Sequence, residues 1–170
     1  MALSPADEAA FRAFAWSRRG GLRRTAYLMC GDWHQADDLV QTTLIKLYVA
    51  WRRIRSGEQP DAYTRRILTR AFLDERRRPW RREAPVDTLV DVAAHRPGTE
   101  EHLDLRAALA QLPPRQRATI VLRYWADASV AETADALNCS EGTVKSQTAR
   151  AIAQLRTLLD EPALVLEETS

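Results

Sequence analysis

The stretch from Ala128 to Leu159 constrains the fold more than any other part of the chain, because it predicts two helices joined by a tight turn. Ser129 followed by Glu132 is a capping-box sequence, in which a hydroxyl and a carboxylate satisfy the first free amides of a helix. Asn138 tolerates the left-handed conformation that ends a helix, and Ser140 can cap the next one. We therefore expect a short helix, a compact turn and a second, longer helix.

The second helix of this pair is amphipathic. Apolar residues recur at helical spacing from Val144 to Leu159, so one face is expected to be buried. A polar and cationic face opposite the buried one is typical of a helix that enters the DNA major groove. There Lys and Arg contact phosphate or guanine, and Gln pairs with adenine. An ordinary helical hairpin with a solvated face is the alternative. The polar face consists of Thr143, Lys145, Ser146, Gln147 and Arg150.

The remaining apolar periodicity predicts helices and no strand, hence an all-α fold of two small helical domains. The segment from Trp33 to Arg53 has the most regular buried stripe, and its opposite face is polar. Pro60 is expected to open a basic helix over about Asp61 to Arg78. A first helix should start after Ser4, and Gly20-Gly21 should break or bend it.

The formal net charge of +2 hides an uneven distribution. Residues 52–82 contain eleven arginines against four acidic residues, whereas residues 83–104 contain six acidic residues against one arginine. A basic segment that also contains aromatic residues suits a polyanion with unstacked bases. Binding to a membrane surface is the other use of a basic helix, but here the apolar face is needed for the core. The acidic segment, with Pro85, Pro97 and Gly98, is expected to be a linker.

Several function classes are not expected. No apolar run is long enough to span a membrane and the N-terminus lacks a signal-peptide core, so a cytoplasmic protein is predicted. Cys30 and His34 supply only two of the four ligands that tetrahedral zinc needs, and Cys139 is far away. Neither a metal nor a cofactor is therefore expected. No phosphate loop or nucleophile-base arrangement indicates catalysis, so the chain is not expected to be an enzyme.

Five groups of residues in combination match a known family. They are Gly31-Asp32, Ala36 to Gln41, Ala62-Tyr63 with Ile67 and Asp74 to Arg78, Leu112 to Arg117, and Gly142 to Ser146. With these segments the chain resembles an extracytoplasmic-function sigma factor, the minimal bacterial type with only the second and fourth sigma domains. It is most similar to the actinobacterial SigE-like subgroup.

The resemblance implies a protein that binds core RNA polymerase and directs it to promoter DNA, without catalysis of its own. It implies sigma region 2 over residues 5–82, an acidic linker over 83–100, sigma region 4 over 101–160 and an acidic tail over 161–170. An anti-sigma factor is a further partner that it suggests, and no membrane insertion is expected.

The resemblance also assigns roles to residues, in three sets. Core polymerase would bind Asp37, Asp38, Gln41 and Lys46. The minus-ten element would be engaged and opened by Arg55, Gln59, Tyr63, Arg65, Arg66, Arg70 and Arg77. The minus-thirty-five element would be read by Arg117, Thr143, Lys145, Ser146, Gln147 and Arg150.

Three positions depart from the family pattern and leave the promoter sequence open. Thr42 stands where an acid is usual, Arg70 where Asn is common and Gln147 where Arg is common. A free-standing helix-turn-helix regulator is the alternative function, and it would predict a dimer on a palindromic operator. A helical protein that binds only other proteins is a second alternative. A helix-turn-helix regulator does not explain the arginine-rich N-terminal half. In a protein that binds only other proteins, those arginines would serve solubility alone.

Overall fold

The structure is a computed structural model that describes residues 2–78 and 100–159, with side chains from residue 105 onward in the second range. Seven helices lie within these ranges, and no strand does. The N-terminal half contains α1 (Pro5–Cys30), α2 (Trp33–Arg55) and α3 (Pro60–Arg77). The predicted acidic linker, up to residue 99, and the acidic tail lie outside the described residues.

Short-range hydrogen bonds set the ends of the first two helices. Ser4 Oγ accepts from the amide of Asp7 at 3.1 Å, and Asp32 Oδ1 accepts from the amide of Gln35 at 2.8 Å, so each side chain satisfies a free donor at a helix start. Gly31 ends α1 with φ of 77°, a left-handed conformation that favours glycine. The sequence therefore encodes the sharp corner between α1 and α2.

The prediction that Gly20-Gly21 breaks or bends the first helix is wrong, because α1 continues through both residues. Each glycine inside a helix costs about 1 kcal/mol relative to alanine. That cost is offset by tertiary packing: α1 lies along α2, and Ala26 and Met29 are fully buried one to two turns later. Thr25 Oγ1 also donates to the carbonyl oxygen of Gly21 at 2.9 Å.

The C-terminal half contains α4 (Glu100–Gln111), α5 (Pro114–Ile120), a π-helical segment (Val121–Trp125), α6 (Val130–Leu137) and α7 (Glu141–Leu159). Leu109, Leu112, Ala151 and Leu155 form the core between α4 and α7. The chain is helical without a break from Pro114 to Trp125, but the last turn is wider than an α-helical turn. In that turn the amide of Ala126 donates to the carbonyl oxygen of Val121 at 3.0 Å.

The two halves share a hydrophobic cluster. Helix α3 packs against α6, and α1 packs against α4 and the π-helical segment. Buried side chains from both halves meet there, among them Met29 and Phe72 with Val121, Leu122 and Leu137. The described parts of the two domains thus form a closed arrangement.

Candidate nucleic-acid interfaces

The helix-turn-helix has the local geometry that its sequence predicts. Ser129 Oγ accepts from the amide of Glu132 at 3.1 Å, while Glu132 Oε2 accepts from the amide of Ser129 at 2.7 Å. Both bonds of the capping box are therefore present. Asn138 has φ of 52°, and Ser140 Oγ accepts from the amide of Thr143 at 3.1 Å. These contacts fix the angle between α6 and α7.

Helix α7 presents a polar surface to solvent. Lys145, Ser146 and Arg150 are exposed, whereas Thr143 and Gln147 are half-buried. The carboxamide oxygen of Gln147 is buried without a hydrogen bond. Thr143, Ser146, Gln147 and Arg150 recur at intervals of three or four residues and therefore share one face of α7.

A second group of cations lies on α3. The Arg66 guanidinium stands 5.0 Å from the centroid of the Tyr63 ring and contacts the carboxylates of Glu58 and Asp135. Arg65 Nη2 lies 2.5 Å from Glu132 Oε1. Arg66 thus joins the Tyr63 ring to the contact with α6, and Arg65 pairs with the same helix.

The other predicted minus-ten residues surround this centre. Arg55 donates to Asp7 Oδ1 at 2.7 Å, and this contact ties the end of α2 to the start of α1. Gln59 is exposed and precedes α3 without a side-chain capping bond. Arg70 and Arg77 are exposed farther along α3. The seven residues therefore extend from the end of α2 along the length of α3 rather than forming one pocket.

The predicted polymerase-binding face of α2 is exposed throughout. Asp37, Asp38, Gln41 and Lys46 all lie on the surface. Arg23 holds Asp37 with bonds of 2.6 and 3.2 Å, and these hydrogen bonds lower the pKa of the Asp37 carboxyl. Asp37 is thus ionised at neutral pH and already paired with Arg23.

Arg117 requires a correction to its expected role as a minus-thirty-five contact. Its side chain is 5% exposed, and its two Nη atoms donate to the carbonyl oxygens of Met29 at 2.7 Å, Ala110 at 2.9 Å and Leu112 at 3.0 Å. Burial lowers its pKa to about 10, and the nearby Arg76 adds to that effect. In this arrangement Arg117 is a buried structural cation that does not reach DNA.

Within residues 2–78 and 100–159 no cluster of three or more His, Cys, Asp or Glu side chains could hold a metal ion. Across the same ranges, no helix is both long and apolar enough to cross a membrane.

Comparison with known proteins identifies the family to which this chain belongs. The Sigma-70 region 2 model matches residues 17–82, and the Sigma-70 region 4 model matches residues 102–155. The RNA polymerase sigma-E factor of Streptomyces avermitilis is 38% identical over 157 residues, which cover 88% of this chain and 85% of that protein. The chain belongs to the sigma-70 family. The sigma-E factor of Streptomyces coelicolor is 37% identical and covers 93% of both chains.

A solved sigma-factor structure is similar to this chain in its fold as well. The sigma factor RpoE of Bartonella quintana, solved in complex with the anti-sigma factor NepR, has a TM-score of 0.77 and 27% identity to this chain. That comparison covers 91% of this chain and 99% of RpoE. As an extracytoplasmic-function sigma factor, the protein binds core RNA polymerase and directs promoter-specific initiation. The free-standing regulator considered above is not favoured, because region 2 accounts for the N-terminal half.

Sequence reasoning missed an apolar part of the sigma factor's surface. Trp16 and Val49 are each 81% exposed, and Ile45 is 61% exposed. Ile45 and Val49 lie one and two turns after Gln41, on the same side of α2. Their positions outside the buried stripe were the available signal. The expected polymerase-binding face therefore combines carboxylates with exposed aliphatic and aromatic groups.

Proposed function

We propose that this sigma factor uses three separate surfaces for three tasks. The exposed face of α2 docks on core polymerase, α3 engages and opens the minus-ten element, and α7 reads the minus-thirty-five element. The domain limits that go with this division are residues 5–82 for region 2, 83–100 for the linker, 101–160 for region 4 and 161–170 for the tail. The observation that carries the proposal is the exposure of the polar strip on α7 at the end of a capped helix-turn-helix.

The polymerase surface is supported by its mixed chemistry. Asp37 and Asp38 offer negative charge, while Ile45 and Val49 supply apolar area on the same helix. Apolar groups exposed beside charged ones are typical of protein-protein interfaces.

The minus-ten surface is supported by its combination of cations with an aromatic ring. Arginines neutralise phosphates, and a tyrosine ring can stack on an unpaired base. Opening a duplex costs a few kcal/mol for each flipped base, which such contacts can offset. Tyr63, Arg65 and Arg66 provide both kinds of contact within one turn of α3.

Three further properties complete the proposal. The protein acts in the cytoplasm, where bacterial polymerase and chromosome are found, and it is an initiation factor rather than an enzyme. An anti-sigma factor is a further partner, because RpoE has a similar arrangement over most of its length in its complex with NepR. No cofactor is assigned to any of these tasks.

The polymerase assignment is tested with Asp38→Arg and the matched control Asp74→Arg, which reverses an exposed acid on α3 instead. Equilibrium binding to purified core polymerase should weaken about tenfold for Asp38→Arg, as expected when like charges meet at an interface. Asp74→Arg should bind as the wild type does. Equal affinities for all three folded proteins would refute the assignment.

The upstream assignment is tested in the holoenzyme on promoter DNA. Lys145→Ala combined with Arg150→Ala should weaken binding and reduce the slope of log affinity against log salt by about 2, since each lost phosphate contact removes about 0.9. Arg12→Ala removes an exposed charge from region 2 and serves as the control. An unchanged affinity and slope in the double variant would remove α7 from the promoter interface.

A further inference from the structure

Two groups of large apolar side chains are exposed in the described part of the chain, and the proposed function uses only one of them. The first group includes Ile45 and Val49, which belong to the polymerase surface of α2. The second consists of Leu105 in α4 with Tyr124 and Trp125 in the π-helical segment, and Trp125 is 54% exposed. Neither the polymerase surface nor the two DNA surfaces include these three residues.

Leu105, Tyr124 and Trp125 line one cleft with a volume of about 440 Å³. Helices α1 and α4, the π-helical segment and α7 form its walls, and α7 contributes Ile152 and Leu155. Clefts of about 300–1,000 Å³ with mainly apolar walls are typical ligand-binding sites. Exposed apolar surface of this kind marks a site of interaction. The cleft therefore fits an occupant with several apolar groups.

The charges at the cleft are all positive. Its described lining residues include Arg24 and Arg106 but neither Asp nor Glu. Arg106 Nη1 donates to the hydroxyl of Tyr27 at 3.0 Å, which leaves its charge uncompensated. Arg24 is exposed and forms no ion pair with a described side chain. An occupant that carries carboxylates next to its apolar groups would complement both arginines.

The acidic tail, residues 161–170, has this composition. Its apolar run is Ala-Leu-Val-Leu at residues 163–166. Glu161 precedes the run, Glu167 and Glu168 follow it, and residues 161–170 contain neither Lys nor Arg. Apolar side chains for the cleft and carboxylates for its arginines are thus present within one short segment.

The acidic tail is also attached close to the cleft. Leu155 lines the cleft, and α7 ends four residues later at Leu159. Those four residues extend about 6 Å along the helix axis, whereas residues 160–166 can span up to about 23 Å. A segment attached by so short a connection acts at an effective concentration in the millimolar range. It is therefore favoured over the same segment of a second copy at micromolar protein concentration.

We propose that residues 164–166 of the acidic tail bind in this cleft, with the two glutamates that follow them beside Arg24 and Arg106. The bound tail shields the exposed aromatic side chains of the π-helical segment from solvent. Any other protein that binds the cleft must first displace the tail. The inference goes beyond the proposed function and does not depend on it, because none of the three surfaces assigned there includes the cleft.

Disulfide trapping in the full-length protein tests this contact. Val165→Cys is combined with Leu105→Cys, in a background with Cys30→Ala and Cys139→Ala. The matched control combines Val165→Cys with Ala153→Cys, because Ala153 is exposed on α7 near the cleft but is not among its lining residues. A disulfide requires Cα atoms within about 7 Å of each other, so its formation reports a close approach.

The pair of cysteines at positions 165 and 105 should form an intramolecular disulfide about tenfold faster than the control pair under mild oxidation, because binding raises the local concentration of one thiol at the other. Equal rates for the two pairs would show that the tail has no preferred position and would overturn the proposal. Disulfide-linked dimers as the main product would overturn it as well, since the occupant would then be a second copy of the chain.

The apolar character of the contact is tested by adding Leu164→Asp and Leu166→Asp to the trapping pair. Trapping should slow about tenfold, because burial of the leucine side chains drives the binding. Thr169→Asp with Ser170→Asp adds the same charge to the tail outside its apolar run and should leave the rate unchanged. An unchanged rate in the Leu164→Asp, Leu166→Asp variant would refute apolar binding of the tail.

Shielding of the cleft is measured without cysteine substitutions, by titration with the anionic apolar dye anilinonaphthalene sulfonate. The apparent affinity for the dye falls in proportion to the fraction of clefts that are free. Leu164→Asp with Leu166→Asp should therefore bind the dye about tenfold more tightly than the wild type. Thr169→Asp with Ser170→Asp should bind it as the wild type does. Equal dye affinities for all three proteins would contradict the shielding and overturn the proposal.

Discussion

The replacement Arg117→Met separates a structural role from a DNA-binding role at one position. In the structure this guanidinium is buried and donates to three carbonyl oxygens. Met29 lies in the last turn of α1, where carbonyl groups have no partner within the helix and the helix dipole favours a cation. The other two acceptors, in Ala110 and Leu112, belong to the end of α4 and the turn that follows it. Arg117 therefore joins α5 to the end of α1 and to the end of α4.

The expected cost follows from these three bonds. A hydrogen bond contributes about 1 kcal/mol net, and a buried acceptor left without a partner adds to the loss. Methionine retains much of the apolar stem and has similar helix propensity, and removal of the charge relieves part of the desolvation. We expect the free energy of unfolding to fall by about 3 kcal/mol.

Arg150→Met provides the reciprocal control, because that arginine is exposed on α7. Urea denaturation and the salt dependence of promoter binding are measured for both variants. Arg117→Met should lose stability while the salt slope stays at its wild-type value. Arg150→Met should keep its stability and lose about 0.9 from the slope. A stable Arg117→Met variant with a reduced slope would refute the buried role and restore Arg117 as a DNA contact.

Three further predictions concern stability and reactivity. Gly20→Ala should raise the free energy of unfolding by about 1 kcal/mol in urea denaturation, because Gly20 is helical and no neighbouring atom lies within 4 Å of a new Cβ. A lower stability of this variant would show that the helix needs glycine at this position. Asn138→Ala should cost about 1 kcal/mol in the same assay, because its φ of 52° is unfavourable for alanine, whereas Asn138→Gly should be tolerated; equal stabilities would contradict this. Burial raises the pKa of the Cys30 thiol to about 11, so its alkylation in the native protein should become appreciable only as the pH rises toward that value, where the thiolate forms; rapid alkylation of Cys30 near pH 8 would show that the site opens.

Local signals in the sequence were sufficient for the helix-turn-helix. The capping box at Ser129, the left-handed Asn138 and the cap at Ser140 each depend on residues within a few positions of one another. The buried stripe of α2 was likewise predictable from the helical spacing of its apolar residues alone. Leu39, Leu47 and Trp51 are buried as expected. Such features need no knowledge of what the helix packs against.

Features that depend on tertiary contacts were not accessible in this way. Helix α1 passes through Gly20-Gly21 because α2 supports it, and a sequence window does not include that support. Arg117 resembles any other cation near a DNA-binding helix until its acceptor in Met29, 88 positions earlier, is known. The contact of Arg66 with Asp135 likewise joins residues 69 positions apart. The sequence shows the charge of these residues, but it does not show whether their side chains are buried or which groups they contact.

The central claim, that the protein directs polymerase to promoters through two DNA-binding domains, is tested most directly by transcription. Core polymerase is reconstituted with the purified sigma factor, incubated with a genomic DNA library, and the transcript starts are mapped. We predict stoichiometric binding and new start sites preceded by two shared sequence elements, with initiation lost in Lys145→Ala combined with Arg150→Ala. A folded sigma factor that binds no core polymerase, or that yields no new start sites when bound, would contradict the account.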